Sequence, residues 1–214
     1  MHLSDIDRFA ALAAITGVWM CGLPRVHNLV WVLALQTGAL AAIAVMVGLE
    51  HAAPQYFLLA AAVFGIKAIL IPSFLDYTAM RVGVRRDLGM MLNPTAALLM
   101  ATGALAAGYF LARQIAPLQA TAPVAAGMAL CLLLVGMLLM LTRRLAISQV
   151  VGFLVLENGI FLYALTQTHG IPLMVELGVV LDVLVGVMLA GLVIFRLNRS
   201  FEHIDVTQLR GLKD

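Results

Sequence analysis

Lys67, Glu157 and Asp182 each stand near the centre of a long apolar stretch, in AAVFGIKAILIP, VVGFLVLENGIF and LGVVLDVLVG. An ionisable group in a hydrocarbon layer costs about 2.5–3.5 kcal/mol on insertion scales, so such residues face a protein interior or a water path. One amine and two carboxylates at a common depth allow two kinds of chemistry. A lysine matched to one carboxylate fixes the register of two helices, which leaves the other carboxylate unmatched. A proton relay uses all three, because burial disfavours the charged form of an acid or a base and lets protons be held and passed near neutral pH. The relay is the expected role of Glu157, Asp182 and Lys67, with the register-fixing pair as its rival.

Other polar groups are secondary. Gln36 and Thr37 fall at the middle of another apolar run and extend the same layer, while Gln149 shares a helical face with Phe153 and Glu157. Asp182 has Gly178 and Gly186 four residues to either side, small residues that admit a close neighbouring helix or water. Glu176 follows Pro172 by four residues and reads as an interfacial carboxylate. His169 and the Glu50-His51 pair lie at the same margin, where histidines would guide proton exit. His27 and His203 read as surface residues. The histidines have no metal spacing, and no nucleophile triad, phosphate loop or dinucleotide fingerprint is present. The expectation is a chain without catalytic residues, metal or cofactor of its own. Its scattered basic residues give no support to nucleic-acid binding.

These residues need helices to hold them in a membrane. Of 214 residues 63% are hydrophobic and 11% charged, with a mean hydropathy of +1.04, against roughly 25% charged in a soluble domain. Apolar runs at 8–24, 28–49, 54–75, 94–112, 122–142, 145–166 and 172–195 each approach the roughly 20 residues that cross a bilayer. The breaks between them carry charges, Pro or Gly, including Pro24-Arg25, Pro54, Pro94, Pro123 and Arg143-Arg144. The expected fold is an all-α integral membrane protein with seven transmembrane helices. The acidic start, with Asp5 and Asp7, does not read as a cleavable signal peptide. Cys21 and Cys131 lie in apolar runs far apart and are expected to be unpaired.

Positive charge sets the orientation. Of 13 basic residues, Arg25, Arg81, Arg85, Arg86, Arg143, Arg144, Arg196, Arg199, Arg210 and Lys213 fall on one side of such a bundle, Arg8 and Arg113 on the other, and Lys67 within it. Basic loops stay cytoplasmic, which puts the N-terminus outside and the C-terminus inside. The chain divides into a four-helix membrane region over 1–121, a three-helix unit over 122–199 and a cytoplasmic tail over 200–214. The tail is too polar for lipid and is expected to dock on a neighbouring subunit. Helices 1–3 and 5–7 also read as a parallel repeat, each with an arginine turn and a charged third helix.

The last third of the chain resembles the three-helix K subunit of respiratory complex I. The likeness rests on Arg143-Arg144 in a turn, Gly152 and Glu157 in the next helix, Asp182 four before Gly186, and the Ile204-Asp205-Val206 and Leu209-Arg210-Gly211 segments of the tail. Over its full length the chain is similar to the hydrogenase-4 component E family, through Lys67 before Pro72, Leu156-Glu157-Asn158-Gly159 and the Asp182 helix. Two departures stand out. The K subunit's first membrane glutamate aligns with Leu154, so Glu157 lies about 4.5 Å further along the helix, and Asp182 stands where that subunit has glutamate.

The resemblance implies a non-catalytic subunit in the membrane arm of a complex I-like nickel-iron hydrogenase or formate hydrogenlyase, in a bacterial or archaeal cytoplasmic (inner) membrane. Its implied partners are antiporter-like and other membrane subunits, the lipid bilayer and, indirectly, a peripheral nickel-iron hydrogenase module. The alternatives are a subunit of a multisubunit cation/proton antiporter, a purely structural anchor, and a lone secondary transporter for which seven helices leave little room.

Overall fold

The computed structural model describes residues 2–52, 54–81, 91–115 and 123–167, together with Gly178 and Gly186. Among these residues the chain is all helical. Helix α1 spans His2–Gly22, α2 Val26–His51, α3 Pro54–Arg81, α4 Pro94–Ile115, α5 Pro123–Thr142 and α6 Ala146–Gln167. Apolar sequence in lipid must satisfy its backbone hydrogen bonds internally, and the helix does so within one segment. The hydroxyls follow the same rule: Thr37, Ser73, Thr78, Thr102, Thr142 and Thr166 each donate to the carbonyl four residues back. Proline opens α3, α4 and α5, where its missing N–H costs nothing.

Five of these helices, α2 to α6, are long and apolar enough to cross a membrane. Helix α1 carries Asp5, Asp7 and Arg8 in its first turns, so its charge-free part runs only from Phe9 to Gly22. The seventh apolar run, 172–195, and the tail lie outside the described residues apart from Gly178 and Gly186. The third helix continues to Arg81, beyond the expected end at 75. Its added turn holds Asp76, whose Oδ1 lies 2.8 Å from His27 Nδ1 at the start of α2. A polar turn that finds a partner in the preceding helix has no reason to unwind.

Helix α3 is not uniform. Val63–Leu70 is a π-helix, in which the Ile71 N–H reaches back five residues to Ile66 O. Pro72 follows, and its ring would strike the carbonyl four residues back in a regular α-helix. The wider turn relieves that collision and places Lys67 at its centre.

Helix α1 packs against α2, α4 and α5; α2 also lies along α3 and α6; and α5 and α6 form the most extensive pair. Three glycines bring α5 and α6 to backbone contact. A Cβ on Gly136 would stand 2.5 Å from Leu156 N, one on Gly152 2.8 Å from Met140 N, and one on Gly159 2.8 Å from Ala129 O. Small residues permit this approach where lipid gives no hydrophobic drive.

Helices α1 and α5 run parallel, and both their ends are tied. At one end Asp7, ahead of the apolar run, takes a hydrogen bond from the Ala125 N–H in the first turn of α5. Burial pushes the Asp7 carboxyl above the ordinary range, and that hydrogen bond pulls it partly back. At the other end Arg143, only 2% exposed, donates from Nη1 to Leu23 O at 2.9 Å and from Nη2 to Met20 O and Cys21 O at 3.0 Å. Parallel helices place like dipole ends together; an anion at the N-termini and a cation at the C-termini offset that repulsion. Arg143 therefore does more than mark a basic loop. Its neighbour Arg144 is exposed.

Candidate functional site

The site is built on α3 and α6. Lys67 Nζ lies 2.9 Å from Glu157 Oε1, and the two side chains are 9% and 3% exposed. Residues 90 positions apart in sequence, on helices that meet chiefly through α2, thus form an ion pair inside the bundle. Lysine reaches across because its ammonium ends a flexible four-carbon stem, and the π turn sets where that stem begins.

Beside the pair lies a neutral polar layer. Asn158 Nδ2 donates to Gln36 Oε1 at 3.0 Å and to Thr37 Oγ1 at 3.1 Å. Gln36 Nε2 in turn donates to Ala13 O at 3.0 Å, and Thr37 Oγ1 to Leu33 O at 2.9 Å. Asn158, Gln36 and Thr37 are all fully buried. Gly17 leaves room for this layer, since a Cβ there would sit 3.2 Å from Gln36 Nε2. One network thereby joins α1, α2 and α6 at the depth of the ion pair.

Of the residues singled out by sequence, Lys67 and Glu157 come together and Gln36 stands in the adjoining layer. Gln149 does not join them. It is exposed, and its Nε2 donates to Arg143 O at 2.9 Å across the α5–α6 turn. Asp182, Glu176 and His169 lie outside the described residues. The helical residue Gly178 is described, and a Cβ there would meet Glu157 Oε1 at 3.6 Å. Sequence reading passed over Asn158 as a site residue, although its adjacency to Glu157 was the available signal. It also passed over the burial of Arg143. Both cysteines are buried and free, and no metal-binding cluster occurs among the described residues.

A bundle of apolar helices with a charged pair and an amide layer in its interior defines a multi-pass helical membrane protein. The chain belongs to the family of the uncharacterized protein Rv0085 of Mycobacterium tuberculosis, with which it is 33% identical over 219 residues, covering 100% of this chain and 98% of that protein. It is also distantly homologous to hydrogenase-4 component E of Escherichia coli K12 and of Shigella flexneri, at 24% identity over 209 residues and 97% of each chain. No family model and no solved structure matches.

Proposed function

We infer that this chain is a non-catalytic membrane subunit of a hydrogenase-type multisubunit complex, and that Lys67, Glu157 and Asp182 handle protons within it. The distant homology to hydrogenase-4 component E supports membership in such a complex. The buried Lys67–Glu157 contact carries the proton reading. An apolar pair would hold the same two helices with less desolvation. An amine facing a carboxylate adds a proton that resides on either partner, as ammonium with carboxylate or as amine with carboxylic acid. Gly178 against Glu157 supports Asp182 as the next station, because Asp182 follows Gly178 by four residues in the sequence.

In this reading the chain has seven spans in the cytoplasmic membrane, with its N-terminus outside and its C-terminus in the cytoplasm, and it touches antiporter-like subunits. A reporter fused after Asp214 is then cytoplasmic. The central test uses the intact complex captured through a tag on this chain and reconstituted in vesicles. Asp182→Asn should retain the subunit and lower proton translocation per hydrogenase turnover, and Glu157→Gln should do so more mildly. Unchanged translocation in both variants and in the double variant would make the chain a structural anchor.

A further inference from the structure

Glu157 and Asn158 are consecutive on α6, so their side chains leave the helix about 100° apart. Glu157 meets Lys67 on α3, whereas Asn158 is held from the other direction by Gln36 and Thr37 on α2. A helix in a bilayer has little to stop rotation about its own axis except the shape and hydrogen bonds of its neighbours. Two donors on one amide, both gripped, add to the close α5 contact in fixing that angle.

We propose that Asn158, Gln36 and Thr37 are positioning residues that lock the rotation of α6 so that Glu157 addresses Lys67, and that the same network closes the α1/α2 side of the pair to protons. The proposal rests on the proton-handling role inferred for Glu157. The closure follows from the direction of the donors. Asn158 donates to Gln36 and Thr37, and these donate to the backbone carbonyls of Ala13 and Leu33. Side-chain amides neither gain nor lose protons near neutral pH, and a peptide carbonyl at the end of a chain has nothing to pass on. The network is a dead end for protons. Exchange at Glu157 therefore runs towards α3 and the Gly178 side.

The surroundings leave the network as the distinguishing influence on that face. Among the described residues Lys67 on α3 is a charged group that faces Glu157. Helix α5 carries no acid or base apart from the Cys131 thiol, and the ionisable residues of α2, His27, Glu50 and His51, lie in its terminal turns. On α1 the charged residues Asp5, Asp7 and Arg8 likewise lie in the first turns.

The test uses the full complex with two readouts: the infrared carboxyl band of Glu157, identified by its loss in Glu157→Gln, and the pH profile of proton translocation. Asn158→Leu keeps the branched outline of the side chain and removes both donors. It should retain the subunit, move the Glu157 band and displace the pH midpoint by about one unit, roughly a tenfold change in the protonation ratio. Thr37→Val removes one arm and should give a smaller displacement in the same direction. It also scores the proposal if Asn158→Leu fails to assemble. An unmoved band and pH profile in Thr37→Val, or in an assembled Asn158→Leu, would overturn the positioning role. If Glu157→Gln itself leaves translocation intact, Glu157 drops out of the relay, yet the infrared band still decides whether the network sets the state of Glu157.

Discussion

The α5–α6 hairpin and the α3 helix hold the two halves of one ion pair in opposite ways. Glu157 sits on a helix pressed to backbone contact by Gly136, Gly152 and Gly159. Lys67 sits on a helix that is widened by a π segment and exposes Phe64, Ile69 and Leu70 around the charge. Close-packed helices transmit strain and allow few alternative positions. A π segment marks a place where the hydrogen-bond register departs from the usual one, frequently at functional sites. The acid thus stands in the most tightly packed part of the bundle and the base on a helix with a wider turn and an open flank. That division suits a pair in which one partner holds position while the other adjusts to its charge.

Equivalent substitutions in the two regions would break the comparison most directly. Gly136→Ala drives a Cβ to 2.5 Å from Leu156 N and should destabilise the protein by about 3 kcal/mol, read as a large fall in thermal unfolding temperature in detergent. Gly65→Ala, in the π segment, meets nothing within 4 Å of its new Cβ and should change stability by less than about 1 kcal/mol. Equal losses from both would abolish the distinction between a tight and a loose region.

The ends of the two regions give a sharper, smaller contrast. Arg143→Leu removes three charge-assisted bonds to carbonyls at and just past the end of α1 and should cost about 2–3 kcal/mol, since such bonds are worth roughly 1.5–3 kcal/mol where the partner stays buried. His27→Ala removes the Asp76 partner at the end of α3, where the histidine side chain is 61% exposed. That change should cost no more than about 1 kcal/mol. Arg144→Leu, beside Arg143 but exposed, should fall within about 0.5 kcal/mol of the parent.

The smallest effect is expected at Asp7. Its Oδ1 is buried with no hydrogen-bond partner among the described residues. Burial raises its proton affinity in the folded protein above the ordinary value of 3.8, more than the Ala125 N–H lowers it. The folded state thus binds this proton more tightly than the unfolded chain does. Its contribution favours folding below pH 3.8 and is lost as pH rises through the raised value. Asp7→Asn keeps an acceptor for Ala125 without the charge. Unfolding curves should show it slightly more stable than the parent near pH 7, with the gain disappearing in acid. A loss at pH 7 would mean that the carboxylate's attraction to the N-terminus of α5 outweighs its desolvation.

What the residues determined alone was type, depth and boundary. Hydropathy and the prolines located the six described helices to within a few residues, except that α1 begins at His2 rather than at residue 8 and α3 runs on to Arg81 rather than ending at 75. Lys67, Glu157, Gln36 and Thr37 were legible as a polar layer because distance along a helix converts directly into depth. Pro72 was visible too, yet a proline permits a kink, a break or a widened turn, and the choice of a π segment depends on what surrounds it. Only the tertiary structure decided direction. Lys67 pairs with Glu157 because α2 brings α3 and α6 to a common place, and Asn158 turns away to Gln36 because α1 and α2 occupy its side. Arg143 and Arg144 are the same residue type in one turn, but one caps α1 in the interior and the other meets solvent. No local pattern separates them. The angle of a side chain about its helix, and the carbonyls waiting there, are set by neighbours far away in sequence.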